Sequence, residues 1–209
     1  MTTRTDASDT RTRLLDAAVR LVRAQGFAAT TVDDVCAAAG VTKGAFFHHF
    51  ASKDELALAA AEHFAGFARA LFAAAPYHAP ADPLERVLGY LDFRASLLRG
   101  APPEFTCYLG TLVQETHATH PALRAACDAH IAAHAGLLAR DIAEAKARYA
   151  PDAPWSAESL AFYVQAALQG AFVLAKAQGG PEVAVECLAH VRRYVESLFR
   201  SPAPAERSR

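Results

Sequence analysis

The 209-residue sequence predicts an all-α fold. Three observations carry that expectation. Alanine, the strongest helix former because it loses no side-chain entropy in a helix, is abundant in a chain that is 53% apolar. Strand-like runs of alternating Val, Ile and Thr are missing. Apolar stripes at helical spacing recur along the chain, separated by Gly- and Pro-containing breaks.

The elements follow in order. Residues 1–8 read as a disordered polar arm. A first helix is expected from Asp9 to Gln25, with Leu14, Leu15, Ala18, Leu21 and Val22 inward, Arg11, Arg13, Arg20 and Arg23 outward, and Gly26 in the left-handed position that ends a helix. Thr31 and Asp34 form a Thr-x-x-Asp box that opens a second helix, ending near Ala39 before the Gly40 turn. Thr42 caps a third helix to about Phe50, and Ser52 caps a long fourth to about Ala74. Pro76–Pro83 is a breaker-rich link. A fifth helix is expected over 83–98, a sixth over 104–117, a seventh from Pro121 to Tyr149, an eighth capped by Ser156 and running to Ala177, and a ninth over 181–199. Residues 201–209 read as a disordered tail.

Net charge is −1, so bulk charge announces no nucleic-acid partner. Residues 1–53 carry seven basic against five acidic side chains and the remainder fourteen against seventeen, a weak positive bias at the N-terminal end. Cys36, Cys107, Cys127 and Cys187 are far apart with no CxxC pair. The N-terminus has no apolar core of the signal-peptide kind, and no run approaches the ~18 apolar residues of a membrane helix. A cytoplasmic protein with reduced thiols and no membrane contact is expected.

The segment Thr30–Lys53 (TTVDDVCAAAGVTKGAFFHHFASK) has the layout of a helix-turn-helix DNA reader: two short helices, a tight glycine turn and a third helix. In such readers the second helix enters the major groove. Here it is Thr42–Phe50. Thr42 is positioned to cap it and bond a phosphate, and Lys43 to reach a phosphate or the O6 and N7 of guanine. Gly44 and Ala45 are small enough for close approach to the groove floor. Phe46 and Phe50 are expected to face inwards. Lys53 lies beside a free helix first turn, a natural phosphate site.

These residues carry a resemblance. Thr31, Asp34, Ala39-Gly40-Val41, Lys43-Gly44, Phe47-His48-His49-Phe50, Ser52-Lys53 and Leu56 resemble the DNA-binding domain of the TetR/AcrR family of bacterial regulators. The resemblance implies a nine-helix architecture with a three-helix DNA-binding domain over 1–53 and a ligand-binding, dimerising domain over 54–200. It implies a repressor that binds a palindromic, double-stranded operator as a homodimer and is released by a small-molecule or electrophile effector. Operator contacts are expected from Thr31, Thr42, Lys43, Gly44, Ala45, Phe47, His48 and Lys53. One position departs from the family pattern: Phe47 stands where a tyrosine is usual, so a hydroxyl bond to phosphate is missing.

For the effector, Cys107 falls where some branches of the family carry a sensing cysteine. Lys176, a lone charge late in an apolar helix, is expected close by. His134 lies on the inward stripe Leu123, Cys127, Ile131, His134, Leu138, and Tyr108 and Phe162 are aromatic candidates for a pocket. A plain core role suits each of these as well. The last two helices are apolar on two faces, and a symmetric partner would cover the second through Tyr163, Leu174, Val191, Tyr194, Val195 and Leu198. No catalytic set, strongly spaced metal cluster or cofactor signature is present; His130 and His134 share metal-like spacing that arises often by chance. Rival readings are a helical interaction protein with weakened DNA binding and, less favoured, an enzyme.

Overall fold

Helix follows helix from Arg4 to Leu198 in the computed structural model, which describes residues 4–200. The expected tail lies outside the described residues, as do residues 1–3 of the expected arm. Among the described residues there are ten α-helices, one 3-10 turn at Pro76–His78 and no strand. The helices are α1 (Arg4–Gln25), α2 (Val32–Ala39), α3 (Lys43–His49), α4 (Lys53–Ala73), α5 (Pro83–Ser96), α6 (Pro102–Phe105), α7 (Tyr108–Thr116), α8 (Pro121–Tyr149), α9 (Ala157–Gln178) and α10 (Glu182–Leu198).

Two differences from expectation have local causes. The first helix begins at Arg4, so part of the expected arm is helical. The expected sixth helix is two, because Thr106 adopts an extended conformation (φ −75°, ψ 162°) and Cys107 starts a new helix as its N-cap. Elsewhere the caps fall where the residue types place them. Thr31 and Asp34 bond each other's backbone N–H groups in a complete capping box. Thr42, Ser52, Asp82 and Ser156 each accept a hydrogen bond from a first-turn N–H of the helix that follows.

The chain forms two compact units. The first comprises residues 1–73 and 100–132. Its core is built around α1, with Leu14, Leu15, Ala18 and Val22 packed with Val35, Phe46, Phe50, Leu56, Ala60, Leu112 and Leu123. The second comprises residues 74–99 and, among the described residues, 133–200, and centres on α9, α10 and α5. Val87, Leu91, Leu138, Ile142, Val164, Leu168, Leu188 and Val195 are buried there. Arg86 ties α5 to α8 through Asp141 at 2.7 Å and through Glu144, and Tyr149 bonds the Asp82 carboxylate.

The sequence estimate of apolar runs needs correction. α4 and α9 are long and apolar enough to cross a membrane by length and composition. Both helices are rich in alanine, and α9 is apolar on the face it buries and on the face it leaves exposed.

Candidate DNA-reading interface and effector region

The DNA-reading segment is fixed from below. Phe46 and Phe50 are buried, and Gly40, at φ 64°, makes the left-handed turn that sets α3 across α2. Arg13 donates to the carbonyl of Ala39 at 3.1 Å and so binds the C-terminal end of α2. With those anchors, Thr42, Lys43, Gly44, Phe47 and His48 are all exposed on one short helix and its cap, and Ala45 is half-buried.

Each exposed side chain has a definite state. Thr42 Oγ1 accepts from the Ala45 N–H at 3.2 Å. The Lys43 ammonium pairs with Asp33 at 2.7 Å, and that hydrogen bond and charge raise its pKa. Both partners are exposed, so water, salt and a competing anion reach the pair. A Cβ added at Gly44 would come no closer than 3.7 Å to any other part of the chain, the nearest atom being Thr42 Oγ1. The protein's own packing therefore does not require glycine there. Phe47 is 57% exposed and meets Phe46 edge-on at 5.1 Å. The rings of His48 and His49 lie 5.1 Å apart, and burial, aided by His48 and Arg11, lowers the pKa of His49.

Two expected contacts look different in place. Thr31 has its hydroxyl engaged with Asp34 in the capping box. Lys53 is engaged within the protein. Its ammonium donates to the carbonyls of Phe27 and Thr30 at 3.0 and 3.1 Å and lies 4.1 Å from the centre of the Phe27 ring. A lysine at a helix start reads as a free cation in sequence, because the carbonyls that take its protons lie more than 20 residues away.

The effector candidates divide between the two compact units. Cys107 is half-buried in the first, and its sulfur accepts from the Gly110 N–H at 3.4 Å. The cation within electrostatic reach of it is Arg23. Arg23 was expected to face outwards; instead burial lowers its pKa, against the opposing pull of Cys107 and Glu104, and its Nε is buried without a hydrogen-bond partner. Lys176, expected beside Cys107, is exposed in the second unit. Tyr108 is fully buried, with its hydroxyl donating to the Ala57 carbonyl at 3.2 Å, so it is core of the first unit. Cys127 is fully buried, and burial pushes its thiol up to about 11.

In the second unit, His134 Nε2 lies 3.0 Å from the Tyr90 hydroxyl, which accepts from Gln165 Nε2 at 3.3 Å. Burial, and the charge of Arg94, lower the His134 pKa to about 3, so the imidazole is neutral at physiological pH. His130, its i−4 neighbour, faces Glu62 at 3.2 Å in the first unit. Phe162 is 50% exposed. Of the expected dimer residues, Tyr163, Leu174 and Tyr194 are exposed and Leu198 is half-buried. Val191 and Val195 are buried against the chain itself. Phe162, Val173 and Val185 join the exposed set instead.

A capped α2, a glycine turn and an α3 with exposed polar groups over buried aromatics define a helix-turn-helix regulator. Comparison with known proteins agrees. Residues 14–60 match the family model for bacterial regulatory proteins of the tetR family, and residues 83–191 match the tetracyclin repressor-like C-terminal domain. The chain belongs to the TetR family of transcriptional regulators, which are DNA-binding proteins rather than enzymes. It is 40% identical over 81 residues to the transcriptional repressor KstR2 of Mycobacterium tuberculosis, covering 38% of this chain and 39% of that protein. The curated relatives are matched over only 19–39% of their own length. Among solved structures, a TetR regulator from Chloroflexus aurantiacus has a TM-score of 0.82 at 26% identity, over 95% of this chain and all of that one. The reduced form of NemR from E. coli has a TM-score of 0.74 at 22% identity, covering 93% and 99%.

Proposed function

We propose that this chain is a ligand-responsive repressor. It binds a palindromic operator as a homodimer through the N-terminal part of α3 and leaves the operator when an effector acts on the remainder of the chain. The division of labour falls near Lys53, with residues 1–53 reading DNA and residues 54–200 binding effector and partner. One observation carries the reading: Thr42, Lys43, Gly44, Phe47 and His48 stand exposed together on a helix locked by Phe46 and Phe50. Lys43 exchanges Asp33 for DNA phosphate or a guanine edge. Thr42 and His48 add polar contacts, and Phe47 contributes apolar contact with a thymine methyl or sugar. The family is composed mostly of repressors, and the relative KstR2 is named as one.

Cys107 is the effector site that the surroundings favour. Its sulfur is half-buried, lies at the start of α7 and is within electrostatic reach of Arg23, features that reactive cysteines share. The partner surface is the exposed apolar face of α9 and α10, with Phe162, Tyr163, Val173, Leu174, Val185 and Tyr194.

A mobility-shift titration on duplex DNA flanking the chain's own gene tests the DNA-reading claim. A shift that Lys43→Ala and His48→Ala each weaken supports it. Absence of any shift at low salt contradicts it, since low salt favours every phosphate contact. Mass spectrometry after a mild quinone treatment tests the sensor. Cys107 should be modified well before Cys127, and equal rates would remove Cys107 from the account.

A further inference from the structure

The six residues that join α1 to α2 are held from two sides by helices distant in sequence. From α7, Glu115 Oε1 accepts from the Phe27 N–H at 3.0 Å and Oε2 from the Ala28 N–H at 2.8 Å. From the start of α4, Lys53 donates to the carbonyls of Phe27 and Thr30. The Phe27 residue therefore has its N–H fixed by a carboxylate and its C=O by an ammonium. Its side chain is buried, with the His120 ring edge-on at 5.6 Å. Gly26 completes the fit. Its φ is 89°, and a Cβ there would stand 2.4 Å from Glu115 Oε1. Glycine at this position admits the carboxylate as well as the turn.

We propose that Glu115 is a positioning residue for DNA reading: it fixes the α1–α2 loop to α7 and thereby sets where α2 and α3 stand. The proposal rests on α3 being the DNA reader of a dimer. The loop ends at Thr31, the N-cap of α2, so a shift of the loop is delivered at once to the first turn of α2 and through Gly40 to α3. Satisfying two N–H groups does not by itself call for a carboxylate. Ala28 is exposed, and water would serve it. A bidentate carboxylate from another helix adds a fixed position. α7 carries Cys107 at its other end, so displacement of this one helix reaches both the candidate sensor and the reader.

Placement, unlike contact, is read by operator geometry. Paired readers must meet half-sites a fixed distance apart, about one helical turn or a multiple of it. An operator selected by the wild-type protein from a random duplex pool is remade with its half-sites one or two base pairs closer or farther apart. Dissociation constants are then measured for wild type, Glu115→Ala, Glu115→Gln and Lys43→Ala. Wild type is expected to bind one spacing best. Lys43→Ala should weaken all spacings by a similar factor and keep the optimum. Glu115→Ala should lose about tenfold at the optimum, the scale of one lost charge-assisted bond, and little at the others, which flattens the preference. Glu115→Gln, which keeps one acceptor oxygen, should lie between, and it carries the comparison if Glu115→Ala does not fold. A Glu115→Ala protein with the wild-type profile overturns the proposal, and so does one weakened equally at every spacing. A wild-type protein that selects no duplex, or that ignores spacing, overturns the reading beneath it instead.

Discussion

Gly44 separates what the chain needs from what its partner needs. A methyl group there would meet the protein only at ordinary contact distance, Thr42 Oγ1 at 3.7 Å, and glycine in a helix costs up to about 1 kcal/mol against alanine. Gly44→Ala should therefore leave thermal stability equal or slightly raised while weakening operator binding; unimpaired binding would show that α3 does not approach the groove floor. Phe47 gives the opposite test. A tyrosine there restores the hydroxyl usual in the family, and one net hydrogen bond of about 0.5–1.5 kcal/mol should tighten operator binding roughly 2- to 10-fold. His134 gives a pH test. Its folded pKa of about 3 lies below its ordinary 6.5, so between those values the unfolded chain binds a proton that the folded chain refuses. Its contribution is whole above about pH 6.5 and falls by about 1.4 kcal/mol per pH unit on acidification towards pH 3. Denaturant titrations from pH 7 to pH 5 should show that loss, and His134→Gln should make it shallower. Residue types alone revealed the exposed set on α3, because a helix fixes which side chains face the same way. They did not show the surroundings of Lys53 or the burial of Arg23, which come from segments remote in sequence.

At the scale of elements, the helices legible in the sequence are those with chemical ends. Thr31, Thr42, Ser52 and Ser156 mark starts, because a short oxygen side chain can bond first-turn N–H groups. Gly26 and Gly40 mark stops, because each takes a positive φ. The break between α6 and α7 was hidden for the same reason: no glycine or proline stands there, and the residue that caps α7 is a cysteine, a weak acceptor. Thr106, at the break, is buried with its hydroxyl unpartnered. The caps also make a prediction. Thr42→Ala should lower stability by about 1 kcal/mol, measured by thermal melting, and should weaken operator binding as well. Preserved stability would mean that the Thr42–Ala45 bond contributes nothing.

At the scale of the whole molecule, the question is which apolar face meets a partner. Both faces of the last two helices carry the same residue types at the same period, so periodicity could name the stripes but not sort them. Burial sorts them: Val191 and Val195 serve the chain, while Tyr163, Leu174 and Tyr194 are left exposed. Sedimentation should show a dimer for the wild type. Leu174→Glu should give a folded monomer with much weaker operator binding, since two linked half-sites gain from effective concentration. Val195→Ala should instead lower stability by roughly 1–3 kcal/mol as a buried side chain is cut back, with the dimer otherwise intact. The central claim is that α3 reads DNA sequence. Fluorescence anisotropy of the selected operator and of a scrambled duplex, at one physiological salt concentration, tests it most directly. The account predicts a preference of about a thousandfold or more for the operator, sharply reduced in Lys43→Ala. Equal affinity for the two duplexes, or a Lys43→Ala protein indistinguishable from wild type, would contradict it.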